Sequence, residues 1–219
     1  GLGAPDPEHN PFAVARLPVL TELLDGERPY ARPTPLHTAA ATLVGLDSRL
    51  GTDGLPQSGT GQSALLTGRN APRLFGRHFG PWTPTALRPL VAEESILARA
   101  KNAGRRVAFA NAYPEEVLEP SQRGRRRGPL LAAPPLAALA AGLLTRHTAA
   151  LERGDAVASE ITNEGWREHL GRLSLPRISP EVAGRNLATI AASHELTLFA
   201  HYATDTAGHR RDLAAGVDA

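Results

Sequence analysis

With 219 residues, 42% of them hydrophobic, the chain is long enough to bury a sizeable core as one large domain or one domain carrying an insert. It has no cysteine, which excludes disulfides and thiolate chemistry, leaves Asp, Glu, His or hydroxyl oxygen to hold any metal, and suits a reducing cytoplasm. A net charge of +2 is too small to argue for nucleic acid, and no run of about 18 apolar residues is present to span a bilayer.

Taken in order, Gly1 to Asn10 reads as a loop. Phe12, Leu17, Leu20 and Leu24 recur at helical intervals, with Pro18 interrupting and Gly26 closing, which predicts a short or broken helix. Thr34 to Val44 is an apolar, alanine-containing run leading to Gly54–Gly68, G-L-P-Q-S-G-T-G-Q-S-A-L-L-T-G. There Pro56 and the glycines at 54, 59 and 61 predict a tight turn, with Ser58 on it and a helix opening at Gln62. Asn70 to Pro84 holds too much proline and glycine for regular structure. A loop this rich in His, Arg and aromatics often faces a ligand.

Leu87 to Ala103 predicts a helix and Arg105 to Asn111 a buried strand, the repeating unit of an α/β domain with a mostly parallel sheet. From Ala112 the composition shifts to an acidic patch and then to a basic cluster, Arg123 and Arg125 to Arg127. Glycine and proline surround that cluster and aromatics are sparse nearby, so it reads as a surface loop, not a nucleic-acid groove. Leu136 to Leu151 and Glu160 to Gly171 read as helices, with Pro176 a breaker. Ser179-Pro180-Glu181 opens a helix running to about Ser193. Leu196 to Tyr202 follows as a strand, with A-T-D-T-A-G-H as the loop at its carboxyl end, where ligands gather in open α/β sheets.

Two places carry chemistry. A serine at a helix start meets the positive end of the helix dipole, which attracts an anion and favours the alkoxide; the plainer reading is a helix cap. Asp205 and His209 offer a carboxylate and an imidazole suited to zinc, manganese or a similar ion, with Gly208 letting the loop fold round it. Their plainer reading has Asp205 accepting backbone N–H bonds and His209 on the surface.

Together these segments resemble a known family. D-T-A-G-H-R-R-D at 205–212 looks like the metal-binding segment of phosphopentomutases and cofactor-independent phosphoglycerate mutases of the alkaline phosphatase superfamily. G-L-P-Q-S-G-T-G-Q is similar to their nucleophile segment, Gly1-Leu2-Gly3 and A-P-D to the stretch after their first metal-binding aspartate, and G-R-R-V-A-F-A-N to a strand near their cap. The resemblance implies a three-layer α/β/α core with a mostly parallel sheet, formed by 1–111 and 177–219, and an inserted cap at 112–176. It also implies two divalent metal ions, Mn or Zn first and Mg next. Ser58 would be nucleophile and ligand of one metal, with Asp205 and His209 ligands of the other. That family further uses an aspartate before the position of Gly1, and an aspartate–histidine pair and another histidine beyond that of Ala219. Residues outside this stretch are expected to supply them. Gln62 stands where those mutases commonly have histidine, a departure from the mutase pattern.

The implied activity is phosphatase or phosphomutase chemistry on a small phosphate monoester, in a cytoplasmic monomer or homodimer that binds neither nucleic acid nor membrane. In the loop after the nucleophile helix, Asn70, Arg77 and His78 are candidate substrate-binding residues, Arg77 through paired N–H donors to phosphate, and Asn111 at its strand end is another. Two alternatives remain: a phosphodiesterase or sulfatase-like hydrolase, and a non-catalytic fragment of this fold.

Overall fold

Proline, glycine and small polar caps cut the chain into short elements. In chain order α1 (Pro11–Val14) and α2 (Pro18–Leu23) precede strands β1 (Leu36–His37) and β2 (Thr42–Leu43). Then come α3 (Ser58–Thr67), α4 (Ala71–Phe75), α5 (Arg88–Glu94), α6 (Ile96–Asn102) and strand β3 (Val107–Phe109). Helices α7 (Ala133–Ala140), α8 (Thr148–Arg153), α9 (Glu164–His169) and α10 (Pro180–Ala192) lead to β4 (Leu196–Leu198), α11 (Ala203–Arg210) and α12 (Leu213–Asp218). This computed structural model describes residues 2–117 and 131–218, so the basic cluster at Arg123 and Arg125 to Arg127 lies outside the described residues.

The protein is mixed α/β, and its described strands make two two-stranded sheets. Packing groups the residues into two compact units, Gly1–Ser48 with Tyr202–Ala219, and Arg49–His201. This partition differs from the expected core of 1–111 plus 177–219 with a cap at 112–176, because α7, α8 and α9 fall in the same unit as β3.

In the Arg49–His201 unit, β3 and β4 run parallel, with Val107 opposite Leu196 and Phe109 opposite Leu198. Successive side chains of a strand point to opposite faces. Val107 and Phe109 accordingly join Leu66, Val91, Leu97 and Ala137 in one cluster, supplied by α3, α5, α6 and α7. Ala108 and Ala110 join Val157, Ala183 and Ile190 in a second, supplied by α10. The strand pair therefore has helices on both faces, and Phe109 at 0% exposure is worth about 1.5–3 kcal/mol of burial. A third cluster, with Trp166 and Leu175, gathers α8 and α9.

In the other unit, β1 and β2 form an antiparallel hairpin, which the apolar reading of Thr34 to Val44 did not anticipate. Thr38 closes its turn: the side-chain oxygen accepts from the N–H groups of Ala40 (3.2 Å) and Ala41 (2.9 Å). α12 packs against α1 and α11.

Several expected elements form as read. The helix read from Phe12 to Leu24 is broken ahead of Pro18, into α1 and α2, and α10 starts behind Ser179, whose hydroxyl accepts from Val182 N. Others require correction. The helix expected over Leu87 to Ala103 is split at Ser95, which turns extended (φ −61°, ψ 150°) and caps α6. The one expected over Leu136 to Leu151 is split by Gly142 at φ +65°. The loop at Asn70 to Pro84 contains α4, because Asn70 caps it, Pro72 sits where no intrahelical N–H is required, and Gly76 closes it at φ +87°.

Candidate functional site

The Ser58 segment differs from its reading in a way that matters for chemistry. α3 begins at Ser58, not Gln62, and extended Gln57 is its N-cap, without a side-chain capping bond. Gly59 and Gly61 are helical, and among the segment's early glycines only Gly54 takes a positive φ, +105°. Ser58 is thus the first helical residue, partly buried, in the first turn where the dipole favours negative charge.

Gly59 serves a different purpose. A Cβ there would lie 2.1 Å from the Trp82 carbonyl oxygen and 2.7 Å from that of Phe79. The backbone of 79–82 therefore crosses the first turn of α3 at a distance only glycine permits. From the other side, a Cβ on Gly80 would come within 3.1 Å of Ser58 N. Gly61 meets nothing within 4 Å. The sequence shows glycines at both 59 and 61 and nothing to tell them apart, so Gly59 was read only as a turn glycine, and Gly80 and the fully buried Thr60 that fastens this crossing were not singled out.

Three predicted substrate contacts lie in sequence between the two segments of that crossing. Asn70 donates through Nδ2 to Leu50 O (2.8 Å) and accepts at Oδ1 from Arg73 N (3.1 Å), so both ends of its amide hold local structure. Arg77 is exposed, its guanidinium lying over the rings of Phe75 (5.8 Å) and Phe79 (5.7 Å), an arrangement that fixes a cation at the surface. His78 Nε2 lies 3.1 Å from Thr52 O. A carbonyl only accepts, so Nε2 is the donor, while Nδ1 is buried with no hydrogen-bond partner.

Asn111 stands at the carboxyl end of β3, paired in parallel with Val157. Its amide donates to Ala200 O and accepts from Ala200 N, both at 2.8 Å, and the residue is 1% exposed. The side chain thereby extends the β3–β4 pairing by one rung, and its hydrogen-bonding groups are spent on the backbone.

In the unit of residues Gly1–Ser48 and Tyr202–Ala219, the 203–209 segment is helical, correcting the expected loop. Gly208 therefore does not bend round an ion. The helix places Asp205 and His209 one turn apart on the same face, with Oδ1 3.8 Å from Nε2 and both side chains about half exposed. At ligand bonds of about 2 Å, two donors at that separation flank a divalent cation after a small closure. A carboxylate with an imidazole also suits Zn or Mn. The pair fits part of a coordination shell. Among the described residues no group of three or more His, Asp or Glu is gathered for a metal ion. Asp6 accepts from Glu8 N (2.9 Å) and lies 2.8 Å from His9 Nδ1; these contacts, the Glu8 N–H first, lower its carboxyl below the usual range.

No helix among the described residues is long and apolar enough to cross a membrane. Compared with family models, with curated proteins and with solved structures, the chain has no match in any of the three.

Proposed function

We propose that the chain carries out metal-dependent phosphoryl transfer on a small phosphate monoester through a phosphoserine at Ser58. The observation that carries this reading is Ser58 itself: a partly buried hydroxyl on the first residue of a ten-residue helix, its backbone boxed by close glycine contacts. Such a hydroxyl is carried by a confined backbone at the end of a dipole that favours negative charge, and a defined position is what in-line attack on phosphorus requires. The Asp205–His209 pair supports it with a donor set suited to Mn or Zn, with Mg as a third choice. The helices on both faces of β3 and β4 support, in turn, a three-layer α/β/α core of the alkaline phosphatase type, with 112–176 as cap.

In this scheme the Ser58 hydroxyl gives up its proton to solvent, the Oγ–P bond forms as the ester P–O bond breaks, and the leaving oxygen takes a proton from solvent. Water then attacks the phosphoserine to release inorganic phosphate, or a second substrate hydroxyl takes the phosphoryl group, as in a mutase. Two bound divalent ions would supply positive charge that ionises the serine and neutralises phosphate oxygens. Asp205 and His209 would hold one ion. Arg77 recognises phosphate by its paired donors, and His78 is a further candidate substrate contact. The proposal includes a cytoplasmic monomer or homodimer that binds neither membrane nor nucleic acid.

The test is turnover of a panel of phosphate monoesters, phosphodiesters and sulfate esters with Mn, Zn or Mg added, together with peptide mass spectrometry of acid-quenched enzyme. Monoester turnover with phosphate on Ser58, abolished in Ser58→Ala without loss of fold, is the expected result. Undiminished activity in Ser58→Ala overturns it. Preference for sulfate esters or diesters would favour the hydrolase alternative, and failure to bind any divalent ion would favour a non-catalytic chain.

A further inference from the structure

Thr60 has 0% exposure and sits two residues after Ser58 on α3. Its N–H donates to Phe79 O at 2.9 Å, and its hydroxyl oxygen accepts from Phe79 N at 3.2 Å. The hydroxyl proton has Gln57 O (3.3 Å) and Phe79 O (3.4 Å) as acceptors. One threonine thus exchanges donor and acceptor with the backbone of residue 79 as a β-strand residue would, using its side chain for half of the exchange.

We propose that Thr60 is a positioning residue for the Ser58 nucleophile, an inference that rests on the phosphoserine reading. A single bond from Thr60 N to Phe79 O leaves the crossing segment free to swivel about it. The second bond removes that freedom and fixes 79–82 against the first turn of α3. Once fixed, the segment bounds Ser58 on the backbone side: residue 80 has no room for more than a tight Cβ contact at 3.1 Å from Ser58 N and 3.2 Å from Gln57 Cβ. Gly59 makes the approach possible and Thr60 makes it rigid. A displaced hydroxyl loses rate and not substrate affinity, because an error of about 1 Å in a reacting group costs about a hundredfold.

The experiment compares wild type, Thr60→Val, Thr60→Ser and Gly80→Ala for kcat and KM on p-nitrophenyl phosphate with Mn, at a temperature below each measured Tm. Valine keeps the shape and deletes the hydroxyl, serine restores it, and alanine at 80 presses on Ser58 N directly. Thr60→Val is expected to lower kcat by about ten- to a hundredfold with KM within about twofold, and Thr60→Ser to return kcat to near wild type. Gly80→Ala is expected to lower kcat by about tenfold. A stable Thr60→Val enzyme with wild-type kcat, or one impaired in KM alone, overturns the proposal. If Thr60→Val does not fold, unchanged kcat in Gly80→Ala overturns it. Absence of monoester turnover in wild type is a separate result, which removes the Ser58 reading before any variant is made.

Discussion

The first turn of α3 and the helix α11 are both short-residue segments containing glycine, S-G-T-G and D-T-A-G, and both carry side chains assigned to chemistry. They hold those side chains by opposite means. Around Ser58 the backbone of another segment presses to within a carbonyl's reach of Gly59, and the lock is made by residues far apart in sequence. In α11 the spacing of Asp205 and His209 is set by the helix alone, Gly208 has nothing within 4 Å, and the pair is about half exposed. Position at Ser58 is therefore a tertiary property, and the separation of Asp205 from His209 a local one.

The sharpest break of this contrast is Gly59→Ala. With two backbone carbonyl oxygens at 2.1 and 2.7 Å from the new methyl, neither able to rotate aside, the crossing must move. A loss of about 3 kcal/mol or more in urea unfolding is expected, at the upper end of overpacking costs. Gly61→Ala, two residues on with nothing within 4 Å, is the matched control and should be neutral or stabilising. A Gly59→Ala protein as stable as Gly61→Ala would show that the close approach holds nothing.

Gly208→Ala should move stability the other way. A helix-interior glycine in open space costs about 0.5–1 kcal/mol relative to alanine, so the variant should gain that amount. A loss instead would mean that α11 depends on a close approach there, as α3 does at Gly59.

The same contrast explains what was legible in the sequence. Pro18, Ser179 and Pro180 act on their own neighbours: the chain breaks ahead of Pro18 as read, and α10 begins where Ser179 and Pro180 say. The strand pattern of Arg105 to Asn111 and Leu196 to Tyr202 was legible because burial on both faces demands apolar runs, although the paired parts are only Val107–Phe109 and Leu196–Leu198. Ser95 was misread because a serine inside a helical pattern becomes a cap only if the chain turns, and packing decides that. Thr, Asp and Gly are weak helix formers, so 203–209 read as a loop; it is helical where buried Ala207 meets α12, with a Cβ at Gly216 only 3.7 Å from Ala207 Cβ. Ser58 was singled out because a helix start has a local signature. Thr60 was not, since its partner lies 19 residues away.

If α11 holds Asp205 by local geometry alone, removing the charge should leave the fold nearly untouched. Asp205→Asn is expected to change stability by about 0.5 kcal/mol or less, the value of one acidic side chain in a first helical turn, while abolishing Mn binding measured by calorimetry on the same protein. Retained Mn binding would remove Asp205 from the proposed ligand set. A larger stability loss would place it among the groups that hold the fold.

The smallest expected effect separates the two kinds of fastening by pH. The Ser58 lock is made of Gly59, Thr60, Phe79, Gly80 and Trp82, none of which titrates. The exposed Glu195, at the entry to β4, accepts from Arg106 N (2.9 Å) and Arg105 Nη1 (3.0 Å), and these bonds, the backbone one first, lower its carboxyl from the ordinary 4.5. A depressed folded-state value means the contribution is present above 4.5 and is lost as pH falls through the lower, folded value. The stability difference between wild type and Glu195→Gln should therefore be small at pH about 7 and shrink towards zero as the medium becomes acidic, with added salt reducing it further. Thr60→Val against wild type should instead give a difference independent of pH over the same range. Parallel curves for Glu195→Gln would mean that the carboxylate's two bonds do nothing for the β3–β4 edge, and a pH-dependent Thr60→Val difference would mean that the lock leans on a charged group after all.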